Sequence, residues 1–323
     1  MASSARNGVT IGVPLYNEER YVEATLRAAA PQCETLTISD NASTDRSVEV
    51  CEASRREHAN ITLVRQPQNT GAWNNFRFVL DSATTPYFMW LGGHDLLPPG
   101  YVDGLVAALA SRPDAVLAFG STRYIDANGD PQHTYECDFG DLLADPSPAT
   151  RTLALIRLLS DCAMIHGVFR TGALQAAFRA CGSGGYLGVD HVLLGHAALE
   201  GPFVYQPTVQ LTRRNPHSGD TTGAQLHRIH GAAASAPPPP ADTRSRVEMQ
   251  RQQYAMAVAT SREVGPAALL YRLRARYHLV SRFGPFGESP VEQRLDRVLR
   301  RRLVTAAVGR FERLYDGWRL RRR

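Results

Sequence analysis

Two residues that could hold a metal ion or a phosphate group, His94 and Asp95, follow a short apolar segment. This segment, Tyr87–Leu91, is rich in aromatic residues and lies between a proline and two glycines, which is typical of a buried strand. The glycines permit a tight turn or a close approach of the backbone to a ligand. Because ligands of open α/β sheets bind at the carboxyl ends of the strands, we expect His94 and Asp95 to face a ligand. The alternative is a turn in which Asp95 caps the next helix, whose start is indicated by Pro98 and Pro99.

Three other predicted strands also end in polar loops. They are Val9–Val13 followed by Pro14, Tyr16, Asn17 and Glu18, Thr35–Ile38 followed by Asp40, and Ile61–Val64 followed by Asn69. The predicted helices between them are roughly ten to fifteen residues long, and this alternation is the signature of βαβ units. We therefore predict an α/β fold with a Rossmann-like, mostly parallel sheet and helices on both faces. The loops at the strand ends should form one site.

The regular alternation stops after Gly120. Residues 121–148 are rich in Asp, Gly and Pro, and predict irregular structure or a hairpin. A segment rich in Pro and Ala at 232–241 favours an extended polyproline conformation and marks a boundary. We therefore predict an α/β domain at residues 1–231, a linker or loop at 232–241 and a basic helical region at 242–323.

The composition is that of an ordinary globular protein, with 43% hydrophobic and 21% charged residues among 323. No apolar run reaches the roughly 18 residues of a membrane-spanning helix, and the first residues lack the apolar core of a signal peptide. We therefore expect a cytoplasmic protein. Five cysteines without CxxC spacing indicate neither a zinc site nor a disulfide framework, and predict reduced, mostly buried thiols.

The charge is unevenly distributed along the chain. Residues 241–323 contain 19 arginines against 8 acidic residues, a net charge of +11, whereas residues 1–240 contain 17 against 23, or −6. Apolar residues recur at helical spacing among the arginines of this tail and predict basic amphipathic helices. Two roles stay open for them: contact with the inner face of an anionic membrane, or packing on the α/β domain or on a second subunit of a homo-oligomer. The sequence lacks an RNA-recognition signature and a basic region on a zipper, so we expect no nucleic-acid partner.

Four segments, in order, are similar to the motifs of family 2 glycosyltransferases, which are inverting enzymes with the nucleotide-sugar-binding fold called GT-A. These segments are Val13–Glu18, Ile38–Asp45, Asn69–Gly71 with Arg77, and Trp90–Asp95. The resemblance covers roughly residues 8–220 and depends on the order and spacing of the four motifs together. It implies that the chain transfers a sugar from a nucleotide-sugar donor, with UDP-sugars and dTDP-sugars favoured. The implied acceptor is a hydroxyl of a glycan, a lipid-linked molecule or a natural product, as in polysaccharide biosynthesis.

The resemblance also implies roles for individual residues in binding the nucleotide sugar. The implied contacts are Pro14, Tyr16, Asn17, Glu18, Asp40, Asn69, Arg77, Gly93 and His94. Asp40 would meet the base ring; the alternative is a carboxylate tied into its own Asp-Asn turn. Family members often carry the arginine of the third motif one place earlier, where this chain has Phe76.

The family's metal-binding DxD motif corresponds to Gly93-His94-Asp95, so the first acid is missing. The resemblance assigns the contact with a divalent metal, Mn²⁺ or Mg²⁺, to Asp95, and His94 would take the place of the missing acid. His217, which follows Arg213-Arg214, is a weaker second candidate for a metal ligand. Such a cation would stabilise the charge on the departing diphosphate.

An inverting transfer also needs a general base for the acceptor hydroxyl. Asp190 is the candidate, because it opens a predicted helix where the family has a Glu-Asp pair, with Val189 in place of the partner acid. The alternative is that Asp190 only stabilises the helix N-terminus. His166 and Arg170 are expected on the acceptor side.

Two other classes of function are alternatives to glycosyl transfer. The missing acids at Gly93 and Val189 would also fit a catalytically silent scaffold that still binds nucleotide sugars. A nicotinamide dehydrogenase is disfavoured because no GxGxxG motif follows the first strand.

Overall fold

The computed structural model describes residues 7–182, 186, 188–216 and 241–300, and these contain one eight-stranded sheet. Its strands are β1 Val9–Leu15, β2 Thr35–Asp40, β3 Ile61–Arg65, β4 Tyr87–Trp90, β5 Leu117–Ile125, β6 Pro131–Tyr135, β7 Val168–Arg170 and β8 Phe203–Arg214. The strand order is β3-β2-β1-β4-β7-β5-β6, and β8 pairs with β5. Strands β1 to β4 run parallel to one another, whereas β7 is antiparallel to both of its neighbours. The predicted mostly parallel α/β sheet is thus confirmed.

The helices flank the sheet and then extend beyond it. They are α1 Val22–Ala29, α2 Ser47–Glu57, α3 Ala72–Asp81, α4 Tyr101–Ser111, α5 Gly140–Leu143, α6 Pro148–Leu158, α7 Thr171–Ala180, α8 Val189–Glu200, α9 Ala241–Thr260, α10 Ala268–Phe283 and α11 Pro290–Leu299. Short 3₁₀ helices occupy Ala30–Gln32, Ala163–His166 and Ser261–Ala267. The predicted hairpin within residues 121–148 is formed by the end of β5 and by β6.

The core has one layer on each face of the sheet, as the strand β4 illustrates. Phe88 and Trp90 belong to the layer that also contains α3, α7 and α8, whereas Met89 lies in the layer with α1 and α4. This alternation follows from the period of two in a strand, which points successive side chains to opposite faces. The aromatic run therefore fills both layers, and its strand ends where the glycines begin.

The sequence predicts a last strand at Phe203–Leu211, and β8 continues three residues beyond it, to Arg214. It stays paired with β5 as far as the Ile125–Arg214 pair, so Arg213 and Arg214 are strand residues and not loop residues. The extension carries these two arginines to the end of β4, where Thr212 pairs with Leu96.

The C-terminal helices α9 and α10 pack on the α/β layer through α6 and α8. Tyr271 and Ala275 of α10 share an apolar cluster with Ile156 of α6. The guanidinium of Arg282 donates to the backbone oxygens of Ile156 and Leu159. Of the two roles left open for the basic tail, packing on the α/β domain is therefore present in the described part. No helix of that part is long and apolar enough to cross a bilayer.

Candidate functional site

The turn after β4 is held on two sides. Its own backbone closes it, because the N–H of Asp95 donates to the Gly92 oxygen at 3.1 Å. The hydroxyl of Thr25 on α1 lies 3.1 Å from the Gly93 oxygen and 2.8 Å from the Asp95 oxygen. The turn thus places the Asp95 side chain at the carboxyl edge of the sheet.

The carboxylate of Asp95 is fully buried and only half satisfied. Its Oδ1 accepts the backbone N–H of Arg214 at 3.0 Å. Among the described residues, its Oδ2 has no hydrogen-bond partner, and the Nε of Arg213 lies 3.7 Å away. The expected alternative, that Asp95 caps the next helix, is wrong, because α4 begins after Gly100 without a side-chain cap. A buried, unpartnered carboxylate oxygen at this edge fits a cation ligand.

From the sequence, Arg213 is expected after the last strand, where an arginine could bind an anion. The structure instead places it within β8 and beside Asp95, which makes it a functional candidate. Burial alone would lower the pKa of Arg213, but the negative charge of Asp95 outweighs it and raises the pKa above its usual value. The guanidinium lies over the Tyr124 ring at 5.6 Å, and the Tyr124 hydroxyl donates to Asp161 at 2.6 Å. A permanent positive charge therefore stands beside the buried carboxylate.

Gly93 and His94 occupy the place of the missing acid. A Cβ atom at Gly93 would meet the Leu15 Cδ1 at 2.8 Å and the Glu18 Cγ at 3.2 Å. The imidazole Nδ1 of His94 lies 2.7 Å from the Glu18 Oε1. Burial lowers the pKa of His94, but the hydrogen bond to Glu18 and the charge of Asp95 outweigh it and raise the pKa. Glu18 thus fills the space that an acid at position 93 would need, and brings a carboxylate beside the turn.

The loops after β1, β2 and β3 are clamped to each other. The amide oxygen of Asn69 accepts from the Asn41 side chain and from the Gly71 backbone, both at 2.9 Å. Asn17 has a left-handed backbone, with φ at 54°, and its side chain accepts the Thr44 N–H at 2.9 Å. The structure therefore brings Asn17 and Asn69 together with the Asp40 loop, as predicted for strand ends of one sheet.

Asp40 lies at the end of β2 and is fully buried. Both of its carboxylate oxygens lie 3.2 Å from the Ser43 N–H, which is the turn-type contact of the alternative interpretation. The Nε of Arg65 lies 3.7 Å from the Oδ2 of Asp40. Beside this loop, Pro14 is partly buried in β1 and Tyr16 is 39% exposed.

A cavity of about 390 Å³ opens next to this edge of the sheet. Its apolar wall consists mainly of aromatic side chains, namely Trp73, Phe76, Trp90, Phe178 and Tyr186. Its polar groups are Asp161, Cys162, His166, Asp190 and Arg213. Arg213 thus borders both Asp95 and the cavity that contains Asp190.

Asp190 stands in the first turn of α8, as predicted, and its side chain is partly buried. Its Oδ1 accepts the backbone N–H of His191 at 3.0 Å. His166 is buried, with its Nδ1 3.2 Å from the Trp90 oxygen. Burial, reinforced by the charge of Arg213, lowers the pKa of His166 to about 4, so this imidazole is neutral at pH 7.

Two of the predicted residues lie away from this arrangement. Arg170 donates to the backbone oxygens of Ala115 and Leu109 and lies over Tyr87, which begins β4 at the end opposite to Asp95. Its expected place on the acceptor side is therefore wrong, because β7 runs antiparallel to β4. Arg77 is exposed and lines a separate shallow groove, since Phe76 takes the cavity-facing position of α3. His217 lies outside the described residues.

The comparisons with known proteins agree with this architecture. The model of the family described as Glycosyl transferase family 2 matches residues 10–177. The structure of S. aureus TarS 1–349 in complex with UDP-GlcNAc is 13% identical, with a TM-score of 0.51, over 90% of this chain and 87% of that chain. Another structure of S. aureus TarS 1–349 has the same identity and coverage and a TM-score of 0.50. No curated protein sequence matches the chain.

Proposed function

Since the chain belongs to glycosyl transferase family 2, whose model matches more than half of it, we propose that it transfers a sugar from a nucleotide-sugar donor to an acceptor hydroxyl with inversion. The observation that best supports this proposal is the position of Arg213, which lies beside the buried Asp95 and also on the wall of the cavity that contains Asp190. A donor diphosphate at Arg213 would thus place its sugar towards Asp190. UDP-sugars and dTDP-sugars are the favoured donors, and a similar structure, that of S. aureus TarS, holds UDP-GlcNAc.

Asp95 would hold the divalent metal, Mn²⁺ or Mg²⁺. Its buried, unpartnered Oδ2 supports this role, and Glu18 and His94 supply further ligand-type groups at the same turn. When bound, the cation would stabilise the negative charge that develops on the departing diphosphate. Arg213 would share this task as a fixed positive charge.

Asp190 would accept the proton of the acceptor hydroxyl as the bond to the sugar forms. Its Oδ1 is engaged by the His191 backbone, which orients the carboxylate from the start of α8. The aromatic wall of the cavity suits the apolar face of a sugar ring and keeps bulk water from the reacting atoms. His166, neutral and fixed on the Trp90 backbone, would line the acceptor side without adding charge.

The nucleoside part of the donor would lie over the clamped loops. Exposed Tyr16 offers a ring for stacking with the base, and the Asp40 carboxylate would accept a base N–H. Asn69 is already engaged with Asn41, so we propose that it acts by shaping this loop. The acceptor would be a hydroxyl of a glycan, a lipid-linked molecule or a natural product, as in polysaccharide biosynthesis.

Calorimetric titration with UDP, GDP, dTDP and CMP, each with and without Mn²⁺, tests the donor site on the wild-type chain and on Asp95→Ala. We expect metal-dependent binding of one nucleotide, which Asp95→Ala removes. Binding that does not depend on metal or on Asp95 would contradict the metal assignment. Failure of every nucleotide to bind the folded protein would contradict the donor site altogether.

The silent-scaffold alternative keeps one structural observation in its favour, the lack of space for an acid at Gly93. It predicts that the nucleotide sugar binds but is neither transferred nor hydrolysed. A mass-spectrometric assay for release of the nucleoside diphosphate from the donor that binds separates the two functions. Detectable release that depends on Asp190 excludes the scaffold.

The tail would add a peripheral contact with an anionic membrane surface. Leu269 and Val291 are 69% and 77% exposed on helices rich in arginine, which supports this contact. Flotation with anionic liposomes tests it on the full chain and on a Leu269→Gln/Val291→Gln variant. Equal flotation of the two proteins would contradict the contact, and a homo-oligomer formed through the same face would instead appear as a shift in molar mass by light scattering.

A further inference from the structure

We propose that Cys162, Asp190 and His191 form a site for a borderline transition-metal ion such as Zn²⁺ in the wall of the cavity. One ligand atom of each residue, a sulfur, a carboxylate oxygen and an imidazole nitrogen, lies within 4.8 Å of the other two. The sequence did not indicate this cluster, because the cysteine is separated by 28 residues from Asp190 and lacks a CxxC partner. The fold brings the three together by placing the start of α8 against the segment that precedes the 3₁₀ helix Ala163–His166.

The backbone around the cluster is fixed by contacts with the C-terminal helices. Gly188, which precedes α8, has a φ of 85°, and a Cβ there would meet the Met249 sulfur of α9 at 2.5 Å. The imidazole of His191 packs edge-to-face against Phe283 of α10 at 6.2 Å between ring centroids. The first turn of α8, with both of its ligand residues, is therefore held in place by the packing of the tail.

An unpartnered ligand atom points to a missing partner. The Nδ1 atom of His191 is buried and has no hydrogen-bond partner in the part of the chain that the structure describes. Asp190 uses its Oδ1 for the backbone N–H of His191, and the thiol of Cys162 is hydrogen-bonded to the same carboxylate, so a cation that replaces the thiol proton would meet both groups. A cation between these groups would satisfy a buried nitrogen that otherwise bears the cost of desolvation.

The set of donor atoms selects the class of metal. A sulfur, an imidazole nitrogen and one carboxylate oxygen suit Zn²⁺, whereas Mg²⁺ and Mn²⁺ prefer oxygen ligands such as those at Asp95. Three protein ligands leave a fourth position open, and here Cys162 and Asp190 both line the cavity, through which an ion can enter. Coordination by sulfur requires the thiolate, so binding releases the thiol proton of Cys162 to solvent.

The consequence for transfer rests on the proposed function. A carboxylate that coordinates Zn²⁺ cannot accept the proton of the acceptor hydroxyl, so the ion would silence Asp190 as a general base. A chelator would restore the activity. The cavity would then contain an inhibitory transition-metal site distinct from the cation position at Asp95.

Titration of the full chain with Co²⁺, followed by absorption spectroscopy, tests the site without relying on activity. We expect a sulfur-to-cobalt charge-transfer band that Zn²⁺ displaces. In Cys162→Ser the band should disappear and the Co²⁺ affinity should fall by at least about tenfold. The matched control Cys33→Ser removes a cysteine of similar partial burial outside the cavity and should keep the band. A wild-type chain without the band, or a band that survives in Cys162→Ser, would overturn the site.

A second measurement needs no variant. Alkylation of the wild-type protein by iodoacetamide, with and without Zn²⁺, is mapped by peptide mass spectrometry. Zn²⁺ should protect Cys162 and leave the modification of Cys33 unchanged, and equal modification of Cys162 in both samples would refute the proposal. Because these readouts use the metal alone, a chain that binds Zn²⁺ but no nucleotide would retain this site while losing the proposed function.

Discussion

The Nε of Arg213 lies 3.7 Å from the Oδ2 of Asp95, and both atoms are buried without a hydrogen-bond partner within residues 7–182, 186, 188–216 and 241–300. The distance exceeds that of a hydrogen bond, so neither atom satisfies the other. A carboxylate oxygen needs a cation or a donor, and a guanidinium N–H needs an acceptor. A metal–diphosphate complex supplies both at once, which is a physical reason for placing the donor pyrophosphate between these residues.

This relationship predicts the effect of Arg213→Ala on nucleotide binding. A charge-assisted hydrogen bond to phosphate is worth about 1.5 to 3 kcal/mol, so the Kd for the bound nucleotide with Mn²⁺ should rise roughly tenfold to a hundredfold. Calorimetry measures the change. Arg123→Ala, which removes an exposed arginine of the same strand pair, is the matched control and should bind as the wild type does. Equal affinity of the Arg213 variant would remove this arginine from the donor site.

The parallel sheet and its helices were predictable because each strand is a short apolar run followed by turn residues. The position of Asp95 at the end of β4 followed from the same pattern, whereas Asp190 was indicated by the family resemblance at the start of a predicted helix. The role of Arg213 was not predictable, since the local sequence gives no signal for the three extra residues of β8, which form because β5 extends to Ile125 and offers pairing partners. The cluster of Cys162, Asp190 and His191 was not predictable either, because it depends on how α8 packs and not on the spacing of these residues along the chain.

Arg170 shows the opposite failure. The sequence predicts Arg170 on the acceptor side together with His166, but β7 is antiparallel to β4, so Arg170 lies beside Tyr87. Its guanidinium then bonds backbone oxygens of Ala115 and Leu109 and serves the structure. The direction of the three-residue strand β7 depends on which strands it pairs with in the folded protein. The hydrophobic periodicity of the sequence carries no information about that pairing.

Restoring the missing acid at Gly93 should destabilise the protein. A side chain there meets Leu15 and Glu18, and overpacking of this kind costs about 1 to 3 kcal/mol, so Gly93→Asp and Gly93→Ala should both lower the Tm. Thermal unfolding followed by circular dichroism measures it. The control is Gly172→Ala on α7, where no atom lies within 4 Å of the added Cβ and the helix should gain roughly 0.5 to 1 kcal/mol. A Gly93→Asp protein that is as stable as the wild type would show that Glu18 does not fill this space.

Replacing the proposed base tests chemistry separately from binding. Asp190→Asn keeps the size of the side chain and can still face the His191 backbone, but it cannot take a proton. We expect the transfer rate to fall by about 10² to 10⁴, with nucleotide affinity unchanged. Asp130→Asn, at an exposed acid of the β5–β6 hairpin, should leave the rate unaltered. A full transfer rate in a folded Asp190→Asn protein would show that another group is the base.

The neutral, buried imidazole of His166 should make stability depend on pH. Its pKa is about 4 in the folded protein, because burial and then the charge of Arg213 disfavour the protonated form, against about 6.5 when unfolded. Between pH 4 and pH 6.5 the unfolded chain therefore binds more protons than the folded protein. The contribution of His166 to the free energy of unfolding is complete above pH 6.5 and is lost as the pH falls towards 4. The loss is on the order of 3 kcal/mol. His166→Asn, which retains a donor towards the Trp90 oxygen, should flatten the pH dependence of urea unfolding over this range. The control His133→Asn, at an exposed histidine, should leave the pH dependence of urea unfolding as in the wild type. If the free energy of unfolding changes with pH in the same way in the wild type and in His166→Asn, the imidazole of His166 is not held neutral by its surroundings.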